Sequence, residues 1–286
     1  MSRVELSAGP VDYQDTGGDG PVVVFCHGVP MNEQVWRKVV PLMAGYRCVL
    51  PTLPLGGHRT PMRPDADLSH RGVAALVGEF VDELGLEDVT LVLNDWGGGQ
   101  FLLLDRSAGA NRIGRLVLVA CEAFDNFPPG PAKAMAVVAR IPGGMLALVR
   151  LMRLRAVRHA RRGYGGMSLR GIPDAVLRDW FAPADRDPAI RRDFAKFAVS
   201  APGRRTLLSW FERLRTFDRP VLVLWATEDP LMPREHGPRL AALYPHARLV
   251  EIPDSATLVP EDQPECLAAE LRAFLTESGA AARGAV

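Results

Sequence analysis

The sequence predicts an α/β fold, and three features of the 286-residue chain carry that prediction. Short runs of β-branched and aliphatic residues recur along it. They are apolar on both faces, where a half-exposed strand would alternate. The stretches between them place apolar residues at three- and four-residue spacing. Strands apolar on both faces belong to a mostly parallel central sheet with helices on both sides.

The expected strands, in order, are PVVVFC (21–26), YRCVLPTL (46–53), DVTLVLN (88–94), RLVLVAC (115–121), RPVLVLWA (219–226) and ARLVEIP (247–253). Between them, helical spacing marks 32–45, 69–86, 100–109, 233–245 and 264–278, with Ser69 as an N-cap for the second. The last eight residues, GAAARGAV, carry too little to pack and are expected to fray. The alternation breaks over 126–216, where four helical patterns follow one another with no strand run. The chain thus divides into a core (1–125 and 217–286) and an inserted helical cap (126–216). An insertion after the C-terminal end of a sheet strand lies over the crevice where such sheets bind ligands, so it reads as a lid.

A hydrophobic content of 48%, a charged content of 23% and a net charge of +1 exclude a disordered chain, a collagen and a coiled coil. No apolar run approaches the roughly 18 residues of a membrane span, and the opening residues lack a basic stretch followed by an apolar one. A cytoplasmic address follows as the expectation. Cys26, Cys48 and Cys121 sit inside apolar runs and read as buried, reduced thiols. The net charge conceals an asymmetry. Residues 128–216 hold 18 Lys and Arg against six Asp and Glu. The Arg run 150–162 keeps apolar residues at helical spacing without an aromatic reading platform, so it reads as the solvated basic face of a lid helix and not as a nucleic-acid surface. Its sharper reading is attraction of an anionic substrate or of an acidic carrier protein. No His/Cys cluster has metal-ligand spacing, and Gly97–Gly99 lacks both the dinucleotide and the P-loop pattern. No cofactor or metal is expected; the expected partner is a small-molecule substrate, and a homodimer is compatible with the sequence.

The chemistry concentrates in DVTLVLNDWGGGQFLLL, 88–104. A strand runs into a tight turn and then a helix, which aims the apex side chain, Asp95, at the crevice and leaves the Trp96 N–H free for developing negative charge. The plainer reading is that Asp95 caps the helix. A second turn, His27-Gly28-Val29-Pro30 after the first central strand, offers the Val29 N–H as a further donor.

Together these motifs, with the strand-then-Asp of LWATEDPLMP, resemble the α/β-hydrolase fold over nearly the whole chain. Asn94-Asp95-Trp96-Gly97-Gly98 is similar to the branch with an aspartate nucleophile, the haloalkane dehalogenases and epoxide hydrolases. The resemblance implies that Asp95 attacks a carbon bearing halide or epoxide oxygen to form an ester, that the Trp96 indole helps hold the departing group, and that Asp229 or Glu122 is the acid of the triad. Thr257 stands where the branch has its histidine base. Val29 stands where dehalogenases often keep Asn, and Tyr164 is the one tyrosine of the inserted segment. His58 is expected to border the pocket, with Trp180 and Trp210 in its walls; His27 is expected to face away from it, and His70, His159, His236 and His246 to lie at the surface. Hydrolysis of an epoxide or carbon–halogen bond is the implied activity. Two alternatives stay open: a lyase, isomerase or cyclase using Asp95 as acid or base, and an inactive ligand-binding homologue.

Overall fold

The computed structural model describes residues 1–105, 107–161 and 163–284. Eight strands form one sheet: β1 Ser2–Leu6, β2 Gly9–Asp15, β3 Val22–Cys26, β4 Arg47–Pro51, β5 Val89–Asp95, β6 Ile113–Cys121, β7 Val221–Ala226 and β8 Ala247–Ile252. Their spatial order is β1-β2-β4-β3-β5-β6-β7-β8. The β1–β2 and β2–β4 pairs are antiparallel, and from β4 through β8 every pair is parallel. The α/β class read from the strand pattern is the class observed. Every residue of β5 is buried, and its side chains alternate between two apolar layers: Leu91 and Leu93 join one, Val92 the other. This two-sided burial makes the central strands apolar throughout.

The chain leaves β3 toward β4 and then crosses back to place β5 on the other side of β3. The C-terminal ends of β3 and β5 therefore flank the point where strand order reverses, which opens a crevice there. Gly28 and Val29 follow β3, and Asp95 ends β5.

Some local structure differs from expectation. β1 and β2 carry no apolar run because they pair at the sheet's edge with one face in water; Arg3 and Asp12 form an ion pair across them. The helix expected over 32–45 is two short 3₁₀ segments, Glu33–Trp36 and Val40–Leu42, with Pro41 removing a backbone donor. The segment after the elbow is a 3₁₀ helix, Gly97–Leu104, and not a helix over 100–109. His70–Glu83 is the expected helix, and the Ser69 hydroxyl accepts from the Gly72 N–H as its cap. The last helix, Pro264–Gly284, continues through most of the final residues expected to fray; residues 285–286 lie outside the described residues.

Between β6 and β7 run the helices Gly130–Ala139, Gly144–Leu151, Arg155–Arg158, Asp174–Arg186, Pro188–Ala198 and Arg204–Leu214, with no strand among the described residues. The Arg run is broken instead of forming one solvated helical face. Arg158 is buried, paired with Asp174 and donating to the carbonyls of Met152 and Arg153. Carboxylates fasten this segment to the stretches that follow β3 and β4, Asp193 buried and Asp179 half-buried. Asp193 accepts from the Met62 N–H at 2.7 Å, and Asp179 accepts from Asn32, Gln34 and Arg59. No helix of the described residues is long and apolar enough to cross a membrane.

Candidate active site

Asp95 sits at φ +62°, in the left-handed region that a residue with a Cβ seldom adopts. The register between β5 and β6 shifts at Asn94/Asp95, lifting Asp95 out of the regular ladder. The buried Asn94 amide holds this bend: Nδ2 donates to the Val119 carbonyl at 2.8 Å and to the Thr257 carbonyl at 2.7 Å, tying β5 to β6 and to the loop after β8. Glycine is required on both sides. A Cβ on Gly28 would lie 2.0 Å from Asp95 Oδ2, and one on Gly97 would lie 2.4 Å from the Glu122 carbonyl oxygen. The Glu122 N–H closes the arrangement by donating to the Asp95 carbonyl at 2.8 Å.

The Val29 N–H donates to Asp95 Oδ2 at 2.9 Å. Val29, Asp95, Glu122 and Tyr164 line a cavity of about 190 Å³ whose other walls are mainly apolar, including Met135, Leu148, Phe181 and Phe194. That is below the roughly 300–1,000 Å³ usual for ligand pockets, so the space suits a small substrate. Burial drives the ionisation of its carboxyls upward. Asp95 is pushed up to about 7, by burial first and by the charge of Asp229, against the Val29 hydrogen bond. Glu122 is raised well above the usual carboxylate range, by burial first and then by Asp95; its Oε2 has no hydrogen-bond partner. Two carboxyls in one largely apolar cavity do not both ionise readily. Asp95, with an N–H donor, is the better placed to carry the charge. The Tyr164 hydroxyl donates to the Val29 carbonyl at 3.3 Å, and burial pushes its phenol upward.

Other predicted residues lie elsewhere. The Trp96 indole N–H donates to His70 Nδ1 at 3.0 Å and lines no part of the cavity, so it is turned away from any departing group. His58 is buried, with Nε2 3.3 Å from Asp193 Oδ2 and Nδ1 accepting from Gly56, and it does not border the cavity. Trp180 and Trp210 are also absent from its walls; Trp210 packs on Phe101. His70 and His236 are buried, contrary to the surface placement expected from their polar neighbours. His70 packs against Phe127 and Phe197, contacts that cross more than 50 positions of chain and leave no local pattern. His27 does face away from the cavity: Nδ1 donates to the Gly28 carbonyl, and Nε2 accepts from the Leu53 N–H at 2.8 Å. Asp229, half-buried, and Thr257, buried, are both absent from the cavity walls. The Thr257 hydroxyl donates to Asp229 Oδ1 at 2.8 Å, and Leu231 and Met232 N–H groups donate to the same oxygen. Burial pushes the Asp229 carboxyl up to about 6. Among the described residues, no group of three or more His, Cys, Asp or Glu side chains is placed to hold a metal ion.

This sheet, this reversal of strand order and this strained aspartate at a strand-to-helix elbow define a class, and the chain belongs to the alpha/beta hydrolase fold family, whose family model matches residues 21–264. Within that class it is similar to haloalkane dehalogenase 2 of Mycobacterium tuberculosis, 29% identical over 284 residues that cover 93% of this chain and 92% of that protein. It is also similar to the cis-3-alkyl-4-alkyloxetan-2-one decarboxylase of Xanthomonas campestris pv. campestris, 29% identical over 298 residues covering 96% of this chain and 95% of that protein. The crystal structure of the ancestral haloalkane dehalogenase AncHLD2 matches with a TM-score of 0.77 at 24% identity, over 98% of this chain and all of that one, a likeness of fold.

Proposed function

We propose that the protein is a hydrolase in which Asp95 attacks an sp³ carbon of a small, mainly apolar substrate, at an epoxide or carbon–halogen bond, and forms an alkyl ester that water then cleaves. The observation that carries this reading is the asymmetric tether of the Asp95 carboxyl at the wall of an apolar cavity: Val29 N–H binds Oδ2. A carboxylate held by one oxygen keeps the other oriented for attack, and orientation accounts for much of the rate of such steps. In the second stage the same N–H faces the carbonyl oxygen of the ester, where negative charge develops as water adds. Asp229 and Thr257 act from outside the cavity walls: the Asp229 charge raises the Asp95 carboxyl, which strengthens it as a nucleophile. Thr257 occupies the place of the histidine base, and its hydroxyl is committed to Asp229.

The test is turnover in ¹⁸O-labelled water followed by peptide mass spectrometry. Oxygen label should enter the Asp95 side chain, because ester cleavage at the acyl carbon exchanges a carboxylate oxygen. Asp95→Asn should reduce turnover at least about 10³-fold. Unlabelled Asp95 during active turnover would defeat the nucleophilic reading.

A further inference from the structure

The ester stage needs a proton acceptor for water, and the opening of a C–O bond needs a proton donor for the departing oxygen. None of the six histidines lines the cavity. Of the described residues that do, three are ionisable: Asp95, Glu122 and Tyr164. Asp95 is the nucleophile, and the Tyr164 hydroxyl is engaged by the Val29 carbonyl. Glu122 alone combines a place in the wall with a buried carboxyl oxygen, Oε2, that has no partner. Its own N–H is bonded to the Asp95 carbonyl, which fixes the two residues side by side. The indole that would favour a halide is absent from the wall, because the Trp96 N–H is bonded to His70. What the cavity offers a leaving atom is an O–H.

We propose, resting on Asp95 as the nucleophile, that Glu122 passes a proton in both directions: it donates to the leaving oxygen and then receives a proton from water, which makes a small epoxide the substrate class this site serves. In the first step an Asp95 carboxylate oxygen bonds to an epoxide carbon, the C–O bond breaks, and its oxygen takes the Glu122 proton; the products are a hydroxyalkyl ester on Asp95 and a Glu122 carboxylate. In the second, Glu122 removes one proton from water as the remaining hydroxide adds to the ester carbonyl. Collapse breaks the acyl C–O bond, and the hydroxyl proton moves to the departing alkoxide. One epoxide and one water become one diol, with Asp95 again a carboxylate and Glu122 again protonated. A bromoalkane uses only the second half of this cycle: bromide leaves without a proton, so Glu122 first gives its own proton to solvent, the proton that hydrolysis releases overall, and then takes one from water.

The experiment compares wild type, Glu122→Gln and Glu122→Asp with 1,2-epoxybutane and 1-bromobutane. Epoxide turnover should fall at least about 10²-fold in Glu122→Gln and recover in part in Glu122→Asp. With 1-bromobutane, Glu122→Gln should still release one equivalent of bromide and then retain a butyl ester on Asp95, visible as added mass, while wild type clears it. For wild type, kcat/KM on the epoxide should rise with pH as Asp95 ionises and fall at higher pH as Glu122 loses its proton; the falling limb should be missing in Glu122→Gln. Epoxide turnover by Glu122→Gln within about twofold of wild type would overturn the assignment while leaving Asp95 in place. Failure of wild type to open the epoxide, with the bromoalkane ester still formed, would overturn the substrate class. Full activity in Asp95→Asn would overturn the reading beneath both.

Discussion

At Asp95, a raised carboxyl costs stability. The folded chain holds this carboxyl at about 7 against an ordinary 3.8. A carboxyl whose folded pKa is raised binds more protons in the native state, so stability is fully present below about pH 4 and is lost as pH rises toward 7, at up to roughly 1.4 kcal/mol per pH unit for one proton. Asp95→Asn keeps a side-chain oxygen for the Val29 N–H and removes the charge. Its melting temperature should therefore exceed that of wild type at pH 8 by more than it does at pH 5, in parallel thermal melts. Trp96 makes the opposite case. Because its indole is bonded to His70 and not aimed at the cavity, Trp96→Phe should leave kcat/KM for a small substrate within about threefold. It should cost about 2 kcal/mol or more in denaturant unfolding, from a buried hydrogen bond and a smaller ring; a loss of 10²-fold or more in activity with an unchanged melt would place the indole in the chemistry after all. Asp95, Val29 and Glu122 are legible in the sequence because they follow strands whose ends a doubly covered sheet gathers at one edge. The direction of the Trp96 side chain is not, because it depends on a histidine 26 positions earlier on another element.

At the level of elements, the elbow works through its connections. Asn94 spans β5, β6 and the loop after β8 with two short hydrogen bonds. Asn94→Ala leaves the Val119 and Thr257 carbonyls without this donor and should destabilise the protein by about 2–4 kcal/mol. It should also lower kcat more than it raises KM, since the bend at Asp95 would relax while the apolar cavity walls stay in place; steady-state kinetics beside a urea titration read both. Five of the six apolar strand runs are visible because burial on both faces imposes a continuous pattern; the sixth, β8, lies at the other edge of the sheet and is only partly buried. The β1–β2 hairpin and the 3₁₀ segments are not: an edge strand tolerates polar residues, as Arg3 and Asp12 show, and the 3.6-residue pattern does not register a chain stiffened by Pro41 or loosened by three glycines.

For the molecule as a whole, the contrast between a basic inserted segment and an acidic remainder acquires a structural meaning. Asp179 and Asp193, two of the segment's few acids, bond the stretches after β3 and β4 and fasten the segment there. A third anchor runs the other way: Asp262, beyond β8, accepts from the Ser168 hydroxyl and from the N–H groups of Leu169, Arg170 and Ala256. Asp262→Ala should cost about 3 kcal/mol or more, and hydrogen exchange should quicken at residues 168–170 before it quickens in β5. Equal quickening at both would show that the segment and the sheet open together.

The carbonyl of Thr257 that holds Asn94 lies 163 positions further along the chain. On a ribosome, Asp95 is synthesised long before the group that secures its bend, so a nascent chain carries it without a finished elbow until the loop after β8 is made. The bend at Asp95 is thus completed only when β8 and the loop after it arrive, so its strained geometry is set by the late part of the chain and not by the turn's own residues alone.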